Sequence, residues 1–263
     1  MDVDDQELKA CCANFYQSDM VRMLLGDVLH PGGLELTHHL GEVLKLGPGD
    51  RVLDVACGRG SSAVHLSESF GCHVTGADYS PESLAQAESL AASRGVSHLT
   101  TFTPGDAESL PFGDADFDAL ISECSLCTFP NKKVAAQEMY RVLRRGARLG
   151  ITDVTVNGPM PEDIQSVLAW VACIGGAGSS SDYVSLLSKA GFSDFVTEDR
   201  RDAGKTMVEE IRHKLTGLGL IAKLGKMDVG DLDLKGTSEV LQRVSGLIDE
   251  GLIGYVLIAA RKT

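Results

Sequence analysis

No apolar run in this 263-residue chain approaches the ~18 residues of a membrane-spanning helix. Basic residues are scarce: 24 Lys and Arg stand against 37 Asp and Glu, giving a net charge of −13 and a pI near 4.9. Nucleic-acid binding draws most of its affinity from Lys and Arg meeting phosphates, so a polyanionic partner is not expected. The opening Met1-Asp-Val-Asp-Asp5 lacks the basic start of an export signal, which points to a cytoplasmic protein. Seven cysteines cannot all pair, and without an export signal they read as reduced thiols rather than a disulfide framework. No repeat or low-complexity segment is present, and the histidines lack metal-ligand spacing. His38 and His39 are adjacent, whereas helical ligands favour i, i+4, so they read as a solvated helix face.

What remains is an ordinary globular composition, 43% hydrophobic and 23% charged, in a chain long enough to bury a substantial core. It is organised around Arg51-Val-Leu-Asp-Val-Ala-Cys-Gly-Arg-Gly60, where a buried strand ends in an acid and then in paired glycines. Gly58 and Gly60 let backbone approach a ligand closely, and the helix that follows aims its free N–H groups at that ligand. Regular alternation follows: strand 51–56, helix 60–69, strand 72–77, helix 81–94, strand 98–103, strand 117–122, helix 131–144 and strand 147–152. Ser80 before Pro81 is a strong helix start. Strand and helix repeating in this way predict an α/β fold with a doubly wound, mostly parallel sheet. Helix 181–190, strand 194–199, a mostly helical stretch over 206–250 and a last strand near 254–260 complete seven strands. Upstream, residues 5–28 carry apolar positions at helical spacing, His30-Pro-Gly-Gly33 breaks the helix, and 34–46 resumes it. Such a segment can cover the carboxyl ends of the strands; an ordinary helix break with an exposed His30 is the alternative. The expected organisation is a single domain over 1–263, with a helical cap over 1–46, a cofactor-binding core over 47–155, and substrate-side insertions and last strands over 156–263.

Gly58-Arg-Gly60-Ser-Ser-Ala63 fits the dinucleotide pattern G-x-G-x-x-A, and Asp78 follows at about the ~20-residue spacing expected of a ribose-binding acid. Two features pull away from NAD. Asp54 lies four residues before Gly58, where an acid suits a cationic amino group better than a pyrophosphate. A second acid-bearing loop, Gly105-Asp-Ala-Glu-Ser-Leu-Pro-Phe112, follows the third strand. The set resembles the class I S-adenosylmethionine (SAM)-dependent methyltransferases, whose first motif is D-x-G-x-G-x-G; Ala56 stands at its first glycine and crowds the loop slightly. That resemblance covers residues 45–155 and implies a Rossmann-like fold with SAM as cofactor. It places cofactor contacts at Asp54, Ala56, Cys57, Gly58, Gly60, Asp78, Tyr79, Asp106, Ala107 and Glu123. Asp78 would accept from the ribose hydroxyls, and Asp106 from the adenine amino group beside the Ala107 N–H.

Cys124 just past the fourth strand, Thr152-Asp153-Val154 after the fifth, and Trp170-x-x-Cys173-x-Gly-Gly-Ala177 together resemble the arsenite methyltransferases. The last of these motifs is not required by a SAM site. The resemblance implies that Cys124 and Cys173 bind a trivalent metalloid as thiolates, since soft sulfur suits a thiophilic centre. The metalloid's lone pair would attack the methyl directly, leaving alignment and water exclusion as the protein's task. Members of that family carry a further cysteine near the position of His30–Gly33, where this chain has none. Cys11, Cys12 or a small thiol would complete the coordination. A small buried apolar residue is the alternative for each cysteine, above all Cys72. Two further readings stay open: a C-, O- or N-methyltransferase of a small metabolite with His30 or Glu123 as base, and a non-catalytic sensor of SAM or a metalloid.

Overall fold

The computed structural model describes residues 28–161, 172–223 and 234–263, with Met23 and Gly26. The helices expected within 5–28, Cys11, Cys12 and Trp170 lie outside the described residues, apart from Met23, Gly26 and Val28. Seven strands, β1 (Arg51–Val55), β2 (His73–Asp78), β3 (Thr100–Pro104), β4 (Phe117–Glu123), β5 (Leu143–Val156), β6 (Phe192–Asp199) and β7 (Ile253–Lys262), form one sheet. Their order is β3-β2-β1-β4-β5-β7-β6. The first five run parallel to one another, and β7 lies antiparallel between β5 and β6. The expected doubly wound sheet is therefore present. Its strand order reverses between β1 and β4, and the crevice at such a switch point is where open sheets hold ligands.

Both faces of the sheet are covered, and the period-2 alternation of the strands shows how. Leu53, Val55, Leu120, Leu149 and Ile151 face one core with Met139 and Leu187. Val52, Val74, Ala119, Ile121 and Leu257 face the other, with Leu36, Leu40, Ala63 and Leu66. Each fully buried aliphatic side chain of this kind contributes about 1.5–3 kcal/mol.

The helices begin where their sequences say they should. Helix α1 (Gly33–Val43) packs against α2 (Ser61–Phe70) and across β5; a Cβ on Gly150 would stand 2.7 Å from Leu40 Cδ1. Helix α3 (Pro81–Ser93) is capped by Ser80 Oγ, which accepts from Ser83 N at 3.2 Å, with Pro81 in the first turn. Asn131 caps α4 (Lys132–Val142), and a reciprocal Ser179–Asp182 box caps α6 (Ser180–Ala190). The short α5 (Ala172–Gly175) precedes it, and α7 (Arg201–Lys223) and α8 (Leu234–Asp249) lie between β6 and β7.

Strand β5 is longer than expected. It starts at Leu143, where the sequence reading has the end of a helix and a strand only from 147, because Phe117 already pairs with Leu143 before the register shifts at Ala119. At its far end β7 extends it to Val156. A third apolar cluster, Ile174, Val244, Leu247, Ile248 and Ile253, joins α5 and α8 to the end of β5. Among the described residues no helix is long and apolar enough to cross a membrane.

Candidate active site

The loop after β1 is shaped by left-handed backbone. Ala56, Gly58 and Gly60 have φ of 60°, 52° and 76°. Gly60 admits no side chain, since a Cβ there would lie 2.7 Å from Ala87 Cβ and 3.0 Å from the Phe102 ring. A Cβ on Gly58 would meet nothing within 4 Å, because that residue faces the open cleft. Gly60 caps α2 without a side-chain bond, which leaves the first turn's N–H groups without a side-chain acceptor from the cap. Asp78 braces the loop: Oδ2 accepts from Gly58 N and Oδ1 from Ser80 N, both at 2.8 Å. Burial raises its pKa, and the N–H bonds from Ser80, Gly58 and Tyr79 oppose that rise. The side chain of Cys57, one of the cofactor contacts that the resemblance implies, is buried and packs so close to β2 that a Cβ on Gly76 would lie 2.7 Å from its Sγ.

Asp54 lines the same cleft and is 2% exposed, with a buried Oδ2 that has no hydrogen-bond partner. Burial first, then the charges of Glu123 and Asp78, hold its pKa well above the usual carboxylate range. A buried acid beside other acids is costly to ionise, and a cation bound next to it would offset that cost.

Glu123, at the end of β4, is the hub of a network the sequence does not reveal. Its Oε2 accepts from Ser62 Oγ at 2.6 Å and Thr37 Oγ1 at 3.0 Å, and lies 3.5 Å from His30 Nε2. Thr152 Oγ1 lies 3.4 Å from Oε1 and accepts in turn from Tyr255 OH at 3.0 Å. His30 is buried rather than exposed and, with Val28 and Leu29, lines the cleft.

The opposite wall is the loop after β3. Asp106 and Ala107 line the cleft, as does half-exposed Tyr79; Asp106 Oδ1 also accepts from Glu108 N at 2.9 Å, capping its own loop. This loop is fastened from behind by Arg141, which donates to Leu110 O at 3.0 Å, Phe112 O at 2.7 Å and Asp114 Oδ1 at 2.9 Å. Arg141 also grips Glu138, which accepts from Leu110 N at 2.9 Å. No sequence signal marked Arg141, because Leu110, Phe112 and Asp114 lie 27 to 31 residues before it and Glu138, three residues away, reads as an ordinary helical ion pair.

Cys124 follows Glu123 on the cleft wall, half-buried, with a left-handed φ of 52° and its N–H on Thr152 O at 2.7 Å. Cys127 is fully buried in the 3-10 turn Leu126–Thr128, and its N–H donates to Asp153 Oδ2 at 3.0 Å. Cys72 is also fully buried, as its small apolar reading predicts. Cys173 lies on α5, which packs against that 3-10 turn; its side chain is outside the described residues. Tyr183 OH donates to Val154 O at 3.0 Å and accepts from Gly178 N, securing the chain beyond α5 to the end of β5. Among the described residues no three His, Cys, Asp or Glu side chains form a metal-binding group. His38 departs from a plainly solvated face, since its ring stacks on Phe70 with centroids 4.9 Å apart.

Residues 53–151 match a family described as a methyltransferase domain. An O-methyltransferase, cnsE, of Penicillium expansum is 30% identical over 93% of this chain and 89% of its own length. The arsenite methyltransferase of Halobacterium salinarum is 32% identical over 56% of this chain and 38% of its own length. In fold, the chain resembles the Haemonchus contortus phosphoethanolamine N-methyltransferase 2 solved with S-adenosyl-L-methionine. The TM-score is 0.78 at 20% identity, over 98% of this chain and 57% of that one.

Proposed function

The chain belongs to the methyltransferase-domain family, and on that premise we propose that it methylates a soft, thiol-bound acceptor, a trivalent metalloid such as arsenite, held by Cys124 and Cys173. SAM is the methyl donor, and when bound it supplies an electrophilic methyl on positively charged sulfur. The residues fit it. Asp54 offers a buried carboxyl oxygen with no partner to the donor's ammonium group. Gly58 leaves the loop open to close backbone approach, while Asp78, Asp106, Ala107 and Tyr79 line the part of the cleft suited to the sugar and base. These features favour a sulfonium donor over the dinucleotide that the glycine pattern alone allows.

The observation carrying the metalloid reading is the seat of Cys124 on the cleft wall, with the α5 backbone that bears Cys173 packed against the turn immediately following it. Thiolates from two chain segments that converge there would hold the metalloid with its lone pair toward the methyl. SAM held by Asp54 and the Gly58 loop would supply the methyl, with the electron pair of its carbon–sulfur bond staying on the sulfur as a neutral thioether. No proton moves, so the residues of this chain align the acceptor and exclude water.

Methylated arsenicals should form with the wild type and fall at least about tenfold with Cys124→Ser or Cys173→Ser. Full turnover in both variants rejects the thiolate mechanism. Labelled SAM bound without product across a broad acceptor panel would instead mark a sensor. A second reading, transfer to an organic hydroxyl, is favoured by His30 beside Glu123 and by the nearly full-length likeness to an O-methyltransferase. It requires activity that survives both cysteine changes and falls with His30→Ala.

A further inference from the structure

The carboxylate of Glu123 is 4% exposed and wrapped by donors from several separate elements: Ser62 of α2, Thr37 of α1, Thr152 of β5 and His30 ahead of α1. Hydroxyls stabilise an anion without cancelling its charge. Among the described residues the only ion-pair partner of Glu123 is His30, at 3.5 Å, and no lysine or arginine reaches it. Its field therefore extends into the cleft that it lines, and it is felt at Asp54, whose own Oδ2 is buried there without a partner. Low exposure leaves little water to screen that field.

The donor and its demethylated product share an amino-acid portion, a sugar and a base. They differ at the sulfur, which is cationic before transfer and neutral after it. With the cleft read as the SAM site, Asp54 and Asp78 would meet groups common to both molecules and could not tell them apart. Glu123 has no such common group assigned to it and stands next to Cys124, on the acceptor side.

We infer that Glu123 is a specificity-determining residue that holds the sulfonium donor in preference to the neutral thioether product, so that each turnover weakens the grip on the spent cofactor. This rests on the reading of the cleft as the SAM site. The residue acts by charge alone, and the hydroxyls around it hold that charge in place.

Calorimetric titration at pH 8 tests this with three ligands: SAM, S-adenosylhomocysteine, and sinefungin, which carries an ammonium group where SAM carries its methylated sulfur. The wild type should bind SAM and sinefungin about tenfold more tightly than S-adenosylhomocysteine, a difference of about 1.4 kcal/mol. Glu123→Gln keeps the shape, and its hydroxyl partners can turn to meet an amide. It should lose about tenfold for the two cationic ligands and less than about threefold for the neutral one. Equal losses for all three ligands, or a wild type that does not distinguish them, overturn the inference; the wild-type comparison stands even if the variant fails to fold. Binding of none of the three rejects the donor site itself, which is a separate outcome from equal binding.

Discussion

Gly176 lies so close to Cys127 that a Cβ on it would stand 2.2 Å from the Cys127 carbonyl oxygen. The second glycine of the Trp170–Ala177 motif is thus a packing requirement. It lets the turn after α5 rest on the 3-10 turn after β4, and so brings the backbone of Cys173 toward the cleft wall.

Gly176→Ala should therefore separate the two turns. The expected cost is about 1–3 kcal/mol of stability from overpacking. Acceptor methylation should fall by at least about tenfold while SAM binding stays near wild type, since the donor residues lie on other elements. Thermal unfolding and calorimetry measure the two effects independently.

Asp54→Asn should stabilise the ligand-free protein and abolish tight SAM binding. The folded pKa of Asp54 is raised by burial and by the neighbouring acids, so folding favours its protonated form. Its contribution is full below the ordinary carboxylate range and is lost as pH rises toward the folded value. The melting temperature of the variant relative to wild type should accordingly climb as pH rises above the ordinary carboxylate range, at about 2–4 °C per kcal/mol. Added SAM should raise the wild-type value and leave the variant unmoved. A flat difference across pH contradicts this.

Arg141→Ala should loosen the Asp106 loop without touching the cleft. Losing its bonds to Leu110 O, Phe112 O and Glu138 is expected to cost about 1–2 kcal/mol, discounted for partial exposure. The pKa of Glu138 is lowered mainly by its bond from Arg141, so this stabilisation is present above the ordinary glutamate range and fades as pH falls. Urea denaturation should show the wild type ahead at pH 7 and the gap narrowing, without vanishing, as pH falls below the ordinary glutamate range, because the bonds to the Leu110 and Phe112 carbonyls do not titrate. SAM affinity should drop several-fold through misplacement of the loop.

Ala56→Gly should gain stability. An L-residue at φ 60° carries a steric cost of about 1 kcal/mol, partly offset in glycine by its freer unfolded chain. A rise of about 1–3 °C in melting temperature is expected, with donor binding retained.

The sheet could be read in advance because its central strands are buried on both faces and therefore written as runs apolar but for one aspartate each, as in Val52–Val55 and Phe117–Ile121. The glycine loop was legible for a similar local reason, since left-handed backbone at Gly58 and Gly60 restricts the residue type. Ala56 departs from that rule and still adopts the glycine conformation. The limits of β5 were not legible, because they depend on pairing with Phe117 at one end and β7 at the other. Nor was the Glu123 network: Ser62 and Thr37 lie 61 and 86 residues away, and no local spacing links them. Asp78 was read as a ribose ligand, but two of its bonds go to the loop, a role only the folded geometry reveals.

Strand β7 runs against its neighbours, so the chain leaves the sheet at Asp199 and returns at Ile253 along one and the same edge, beside Val156 and level with the cleft. The helices α7 and α8 therefore hang from two adjacent attachment points, like a flap sewn along a single seam. Such a piece can be lengthened, exchanged or tilted without shifting any strand register. Changes in this part of the chain can thus accumulate while the strands and the loops that line the cleft stay as they are.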